Sequence, residues 1–155
     1  MSRNLSAGAL SFLDTAQSVK IAHLVRLELH TSTETVKTYI YLTDYATDVE
    51  WNSQTYEAGK INRVGDVKQS QGVTNYKVTI DVAGEYPSEL ARGLTGNVDS
   101  SYVGKDIEIL RAYLDDAGNI IPFDATTNGP MQYFVGDIAD ISIDAGIVSG
   151  NSSVK

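Results

Sequence analysis

The sequence predicts a mainly β protein, an antiparallel barrel or sandwich with a helix at its N-terminus and one further short helix. Three observations predict this class. Several runs alternate apolar and polar residues, which is the pattern of half-buried strands. Short turns rich in Gly, Asn and Asp separate these runs. The chain contains only 3 prolines but 9 tyrosines, a composition that permits long strands and suits β-surfaces.

A chain of 155 residues suits one domain with its own core, and we predict a single β-domain over residues 1–155. Residues 1–18 form the predicted N-terminal helix, for which Asn4 or Ser6 is a candidate cap. The second helix is predicted over Ser88–Leu94, after a proline that suits a first helical turn. The tail over residues 144–155 is rich in Gly, Ser and Asn, and we expect it to be flexible when free.

The strands are predicted from local patterns alone. Val19–His30 alternates so that one face is apolar and the other polar, whereas Ile107–Leu114 is apolar on both sides and is expected to be central. Breaks in alternation predict β-bulges near residues 62–63 and 139–140. The other predicted strands are Thr35–Leu42, Ile61–Gln69, Tyr76–Val82 (with Tyr76, Val78, Ile80 and Val82 inside), Ile120–Phe123 and Met131–Ile143.

The chain is organised around Thr43–Gly59, which contains its single tryptophan. Two short β-like runs, Asp48–Trp51 and Thr55–Glu57, flank Asn52-Ser53-Gln54, and asparagine tolerates the left-handed backbone of a tight turn. The segment is therefore predicted to be a hairpin, with Trp51 and Tyr56 on one face.

The charge and composition exclude several classes of function. The formal net charge is −8 and the isoelectric point about 4.6. An acidic surface should repel the phosphates of a nucleic acid, so nucleic acid is not an expected partner. There are no cysteines, which removes disulfides and thiolate chemistry. The apolar stretch Ala7–Leu13 is too short to span a membrane, and we expect synthesis in the cytoplasm.

No motif for catalysis, metal binding or cofactor binding is present, so the sequence predicts no enzyme and no cofactor. The turn Asp115–Asn119 has some calcium-loop residues but lacks their alternating spacing. Three acids, Asp137, Asp140 and Asp144, are interpreted as rim charges. A third hypothesis is a glycosidase or peptidase that uses paired carboxylates, and no motif favours it.

The two histidines, His23 and His30, have opposite strand parity, so they cannot pair on a metal. We interpret His23 as a structural histidine.

Several segments in a fixed order resemble tail-tip proteins of bacteriophages. They are Ile21–Leu27 with its histidine, Thr43-Asp44, then Asp48, then a hydrophobic-x-Trp, a polar turn and Tyr-x-Ala. The resemblance covers roughly residues 5–115 and is to the N-terminal domain of tail hub proteins, to tail proteins of gene transfer agents and to the minor tail protein L family of lambda-like phages. Longer members bind an iron–sulfur cluster through cysteines that this chain lacks, so that cofactor is not carried over.

The resemblance implies a structural virion protein of a phage tail tip or baseplate, of the distal-tail or hub type, located in the tail. Such a protein would form a trimeric or hexameric ring with itself and contact the tail tube, the hub and fibres. The alternative is a carbohydrate-binding β-module with Trp51 and Tyr56 as its stacking platform. The candidate assembly contacts are Leu10, Phe12, Leu13, Trp51, Tyr56, Ile147 and Val148.

Overall fold

The computed structural model describes residues 6–15, 19–29, 37–69, 76–82, 104–123, 128–139, 143–145 and 152–154. One helix and thirteen strands lie in these ranges. They are α1 (Ala7–Thr15), β1 (Lys20–Leu29), β2 (Thr38–Thr43), β3 (Val49–Trp51), β4 (Gln54–Tyr56), β5 (Ile61–Val64), β6 (Lys68–Gln69), β7 (Tyr76–Lys77), β8 (Ile80–Val82), β9 (Asp106–Leu114), β10 (Ile120–Ile121), β11 (Met131–Asp137), β12 (Ile143–Ala145) and β13 (Ser152–Val154). The prediction of a mainly antiparallel β protein with a short N-terminal helix is confirmed.

A five-stranded antiparallel sheet forms the centre of the molecule. Strands β1 and β9 pair along most of their length, β2 adds to the far side of β1, and both β10 and β11 pair with β9. The predicted central position of β9 is confirmed. Its apolar residues on both sides find cover on both faces of the sheet, as expected for a strand that is buried twice.

The sheet carries a separate apolar core on each face. The first, called the Leu24 face, is formed by Ala22, Leu24, Ala112 and Leu114. The second, called the Val25 face, is formed by Val25, Leu27, Ile107 and Ile109.

The predicted division of β1 into one apolar and one polar face is therefore wrong. Strand β1 lies between two strands, and both faces of the sheet are covered there. Side chains on both faces of β1 are therefore buried, and Glu28, although charged, is only 6% exposed. Alternating apolar and polar residues indicate a strand with one solvent-exposed face, and β1 is not such a strand.

A hairpin of β3 and β4, called the Trp51 hairpin (residues 49–56), covers the Leu24 face. Asn52 and Ser53 form its two-residue turn with φ of 51° and 60°, the left-handed values of a tight hairpin turn. Val49 pairs with Tyr56, which places Trp51 and Tyr56 on the same side. The predicted hairpin and its shared aromatic face are confirmed.

Strands β5 and β8 pair and cover the Val25 face with Ile61 and Val82. The bulge predicted near residues 62–63 is confirmed by the register shift between Ile61 and Arg63. The predicted strand Tyr76–Val82 is divided into β7 and β8, and Tyr76 is 58% exposed rather than inside.

A close backbone contact lies at this division. The Gly65 backbone N–H donates to the Thr79 carbonyl at 2.8 Å, and this approach leaves little room for any side chain at residue 65.

Strand β11 ends at Asp137 rather than continuing to Ile143, and its register shift lies between Gln132 and Phe134. The described part of the chain thus shows a bulge at Tyr133. The bulge predicted near residues 139–140 stays a prediction, because residues 140–142 lie outside the described ranges. Bulges commonly redirect a side chain, and the residue redirected here is Tyr133.

Helix α1 covers Ala7–Thr15, within the predicted range of residues 1–18, and Ser6, one of the two predicted caps, directly precedes it. The Ser6 hydroxyl accepts a hydrogen bond from the Ala9 backbone N–H at 3.0 Å, which satisfies one of the free donors at the helix start. The Ser6 hydroxyl also donates to the Pro122 carbonyl, and the Ser6 N–H donates to the Phe123 carbonyl at 3.1 Å. These bonds, with the fully buried Ala9, attach the helix to the end of the sheet.

Strands β12 and β13 pair in antiparallel orientation, and β13 lies against β8. The flexibility expected of residues 144–155 stays a prediction, because the paired residues are 143–145 and 152–154 and those between them lie outside the described ranges. The predicted helix Ser88–Leu94 lies outside the described residues.

Candidate functional site

The predicted contact residues lie in different environments. Leu10 is 53% exposed on α1, and Phe12 is partly exposed on the same helix. The side chain of Leu13, and both Ile147 and Val148, lie outside the part of the chain that the structure describes.

Trp51 is partly buried, and its six-membered ring lies directly against Gly129. Tyr56 is only 4% exposed and packs edge-on against Tyr41, with 5.3 Å between ring centroids. Burial, together with the negative charge of Glu108, raises the pKa of Tyr56 to about 12. A side chain so covered offers almost no surface, so the stacking platform predicted for Trp51 and Tyr56 is not formed.

The sequence did not predict four exposed apolar side chains, because a strand pattern alone does not show which apolar residues other elements of the fold will cover. They are Val19, Ile21, Tyr76 and Val135, of which Ile21 is 48% and Val135 56% exposed. Ile21 lies on the Val25 face, near the end of the sheet where α1 is attached. Val135 lies on β11, which pairs with β9.

A row of polar side chains crosses the Val25 face next to its apolar core. Asp44 follows β2 directly, and one carboxylate oxygen accepts the His23 backbone N–H at 2.7 Å while the other contacts His23 Nδ1 at 2.7 Å. Burial alone would raise the pKa of Asp44, but the hydrogen bonds from the His23 side chain and backbone hold it below its ordinary value. The interpretation of His23 as a structural histidine agrees with this geometry.

The row continues on the other side of the imidazole. Arg111 pairs with His23 in the sheet register, and its Nε–H donates to His23 Nε2 at 3.4 Å. The Arg111 guanidinium carbon lies 4.2 Å from the centroid of the Tyr133 ring, a stacked cation–π arrangement. The Tyr133 hydroxyl donates to the Gly65 carbonyl at 3.2 Å. We call Asp44, His23, Arg111 and Tyr133 the His23 cluster.

The His23 cluster was not predicted, although His23 and Asp44 both belong to the segments on which the resemblance to tail proteins depends. Their contact joins residues 21 positions apart, and Arg111 is 88 positions from His23. Only the register of β1 with β2 and β9 brings the three together.

A second polar group lies on the Leu24 face, around the buried Glu28. Its carboxylate accepts from Lys37 Nζ at 3.3 Å and from the Asp106 backbone N–H at 3.0 Å, and Lys105 Nζ lies 3.8 Å away. The hydrogen bond from Lys37 holds the pKa of Asp106 below its usual range, and Asp106 and Glu28 raise the pKa of Lys37. Such a mutually satisfied set stabilises local structure rather than leaving an acid available for chemistry.

The acidic turn after β9 is closed by its own hydrogen bonds. Asp115 accepts from the backbone N–H groups of Ala117 and Asn119 and from the Asn119 side chain, and Gly118 has a φ of 87°. Within the described residues, no group of three His, Asp or Glu side chains is placed to hold a metal ion. Nor does any helix of the described ranges have the length and apolar character that crossing a membrane requires.

The sequence matches no protein-family model. It is similar to the baseplate hub protein pb3 of Escherichia phage T5, with 34% identity over 130 residues. The aligned region is 84% of this chain but 14% of the hub protein, so the chain spans about a seventh of the length of that relative. The similarity supports a place for this sequence in a phage tail and baseplate family.

Proposed function

We propose that this chain is a structural module of a bacteriophage tail tip, working in a hub-type ring that joins the tail tube to the tip. The observation that carries the proposal is the 34% identity to a baseplate hub protein over most of this chain. The protein would act by shape and assembly in the virion, with itself and other tail proteins as partners and without catalysis.

The exposed apolar side chains support assembly as the mechanism. Leu10, Ile21 and Val135 are each about half exposed, and a folded domain gains from covering such groups, by roughly 25 cal/mol per Å² of apolar surface removed from water. Identical copies of one chain usually associate with closed symmetry, which a ring provides. Phe12, Leu13, Trp51, Ile147 and Val148 remain proposed contacts beside them.

The geometry does not favour the carbohydrate-binding alternative. A sugar platform needs an open aromatic face, whereas the Trp51 ring lies on Gly129 and Tyr56 is in the core. Titration of Trp51 fluorescence with a panel of oligosaccharides should therefore give no saturable change.

Light scattering over a concentration series tests the ring directly. We expect a closed oligomer, trimer or hexamer, whose mass falls toward the monomer in the variant Val135→Ser. The control is Gln132→Ser, an exposed polar residue on the same strand, which should leave the mass unchanged. A monomeric mass for the unmodified chain at every concentration would contradict self-association as the mechanism.

A further inference from the structure

The His23 cluster connects the two hairpin regions that cover opposite faces of the central sheet. At one end, Asp44 begins the segment that leads into the Trp51 hairpin on the Leu24 face. At the other end, the Tyr133 hydroxyl holds the Gly65 carbonyl just after β5, whose strand covers the Val25 face. His23 and Arg111, on the two central strands, lie between these ends.

The hydrogen bonds determine the protonation state of His23 in this arrangement. The Arg111 guanidinium has donors but no acceptor, so its Nε–H requires a lone pair on His23 Nε2. The imidazole proton is then on Nδ1, where the carboxylate of Asp44 accepts it at 2.7 Å. The observed geometry is thus that of a neutral imidazole between an anion and a cation.

Adding one proton to His23 affects its two neighbours in opposite ways. The contact with Asp44 gains charge and becomes stronger. The contact with Arg111 is lost, because Nε2–H no longer accepts a hydrogen bond and two cations then face each other across 3.4 Å. Arginine stays protonated at any pH at which imidazole changes charge, so the guanidinium has to move away from the protonated His23.

We propose that His23 is a proton-operated link that holds Arg111 and Tyr133 when neutral and releases them when protonated. The described groups that face the imidazole are Asp44 from the segment after β2, Arg111 from β9 and Tyr133 from β11, whose ring centroid is 5.2 Å away. Along β1 itself, the nearest residues on the same face, Ile21 and Val25, carry no charge.

The consequence of release is local and directional. Tyr133 loses the guanidinium stacked on its ring, which weakens the hold of β11 on Gly65, while Asp44 stays bound to β1 through His23. Protonation of His23 therefore loosens the region around β5 and leaves the attachment of the Trp51 hairpin in place. Imidazole is the side chain that ordinarily changes charge between about pH 5 and 8, which sets the pH range of the test below.

Nitrogen-15 NMR of the intact protein between pH 8 and pH 5 tests the link. At pH 8 we expect the Nδ1–H tautomer for His23. As His23 titrates, the Arg111 Nε–H resonance and the Tyr133 ring resonances should shift with the same midpoint. An Nε2–H tautomer at pH 8, or an Arg111 signal that does not follow His23, would overturn the proposal.

The chain supplies its own controls. Arg26 stacks on the Tyr39 ring at 4.8 Å and pairs with Glu108 at 3.1 Å, and no imidazole is among the contacts described for it, so its Nε–H signal should not follow the titration. The variant His30→Gln identifies the NMR signals of the second histidine. The variant His23→Gln should abolish the pH-dependent shift of the Arg111 Nε–H resonance. All signals are read on the isolated protein, so this test fails or succeeds independently of ring assembly.

Discussion

At the scale of single residues, Asp44 shows how a half-buried carboxylate is kept charged. Burial disfavours the anion, and the two hydrogen bonds from His23 more than offset that cost, because the pKa of Asp44 lies below its ordinary value. The same carboxylate ties the end of β2 to β1 through both a backbone and a side-chain group. Asp44 is therefore a structural acid whose contribution to the free energy of unfolding depends on pH.

Replacing Asp44 by Asn should lower the free energy of unfolding by about 1–3 kcal/mol at pH 7, the range for losing a charge-assisted, partly buried hydrogen bond. Because the folded pKa is depressed, the stabilisation is fully present above about pH 4 and is lost as the pH falls through the folded value. Urea unfolding of both proteins at pH 7, 5 and 3 measures this difference.

The matched control is Asp48→Asn in the same loop. Asp48 is exposed and accepts one hydrogen bond, from the Ala58 backbone N–H at 2.8 Å, so we expect a cost of no more than about 1 kcal/mol. If the Asp44 variant has the same acid dependence as the unmodified protein, the carboxylate does not act as described.

At the scale of elements, the Trp51 hairpin is positioned by contacts on three sides. Its strands cover the Leu24 face. Directly after the hairpin, the Glu57 carbonyl accepts the Thr43 backbone N–H at 2.9 Å, which joins the segment to β2. Its indole ring lies on Gly129, just before β11. The single tryptophan thus joins the segment after β2 to the last long strand of the sheet.

Replacing Gly129 by Ala should destabilise the protein by about 1–3 kcal/mol, because the added methyl group would overlap the Trp51 ring. Thermal unfolding followed by tryptophan fluorescence reports both the stability and the changed surroundings of the indole. The control is Gly118→Ala, where nothing lies within 4 Å of the new carbon but φ is 87°, so only backbone strain is expected. An unchanged fluorescence spectrum in the Gly129 variant would contradict the contact.

At the scale of the whole molecule, the acidity and the exposed apolar groups act against each other. Each chain carries a formal charge of −8, so copies repel at low ionic strength. The apolar side chains on α1, β1 and β11 favour association. In the proposed ring, an acidic inner wall would also avoid holding passing DNA.

We therefore expect self-association to strengthen with salt. At about 0.1 M ionic strength charges are screened beyond roughly 10 Å, and the repulsion falls further at higher salt, while apolar contacts persist. Light scattering at 20 mM and 500 mM NaCl, at equal protein concentration, should show the larger mass at 500 mM. A mass that falls with salt would instead indicate an interface built on opposite charges.

Local patterns determined much of this protein. Alternation and turn residues predicted the antiparallel β class, the Trp51 hairpin with its Asn52 turn, the bulge near residue 62 and the central position of β9. These features depend on neighbours within a few positions, and steric and hydrogen-bonding preferences act at that range. The similarity to phage tail proteins was also visible in short segments.

Only the tertiary structure decided which residues meet across the sheet. It buried both faces of β1, placed Trp51 on Gly129, and brought His23 between Asp44 and Arg111. These contacts join residues from 21 to 88 positions apart and depend on strand register, where a shift of one residue would turn every side chain to the other face. Alternation fixes the parity of a residue within its strand, but the neighbouring strands decide what that residue touches.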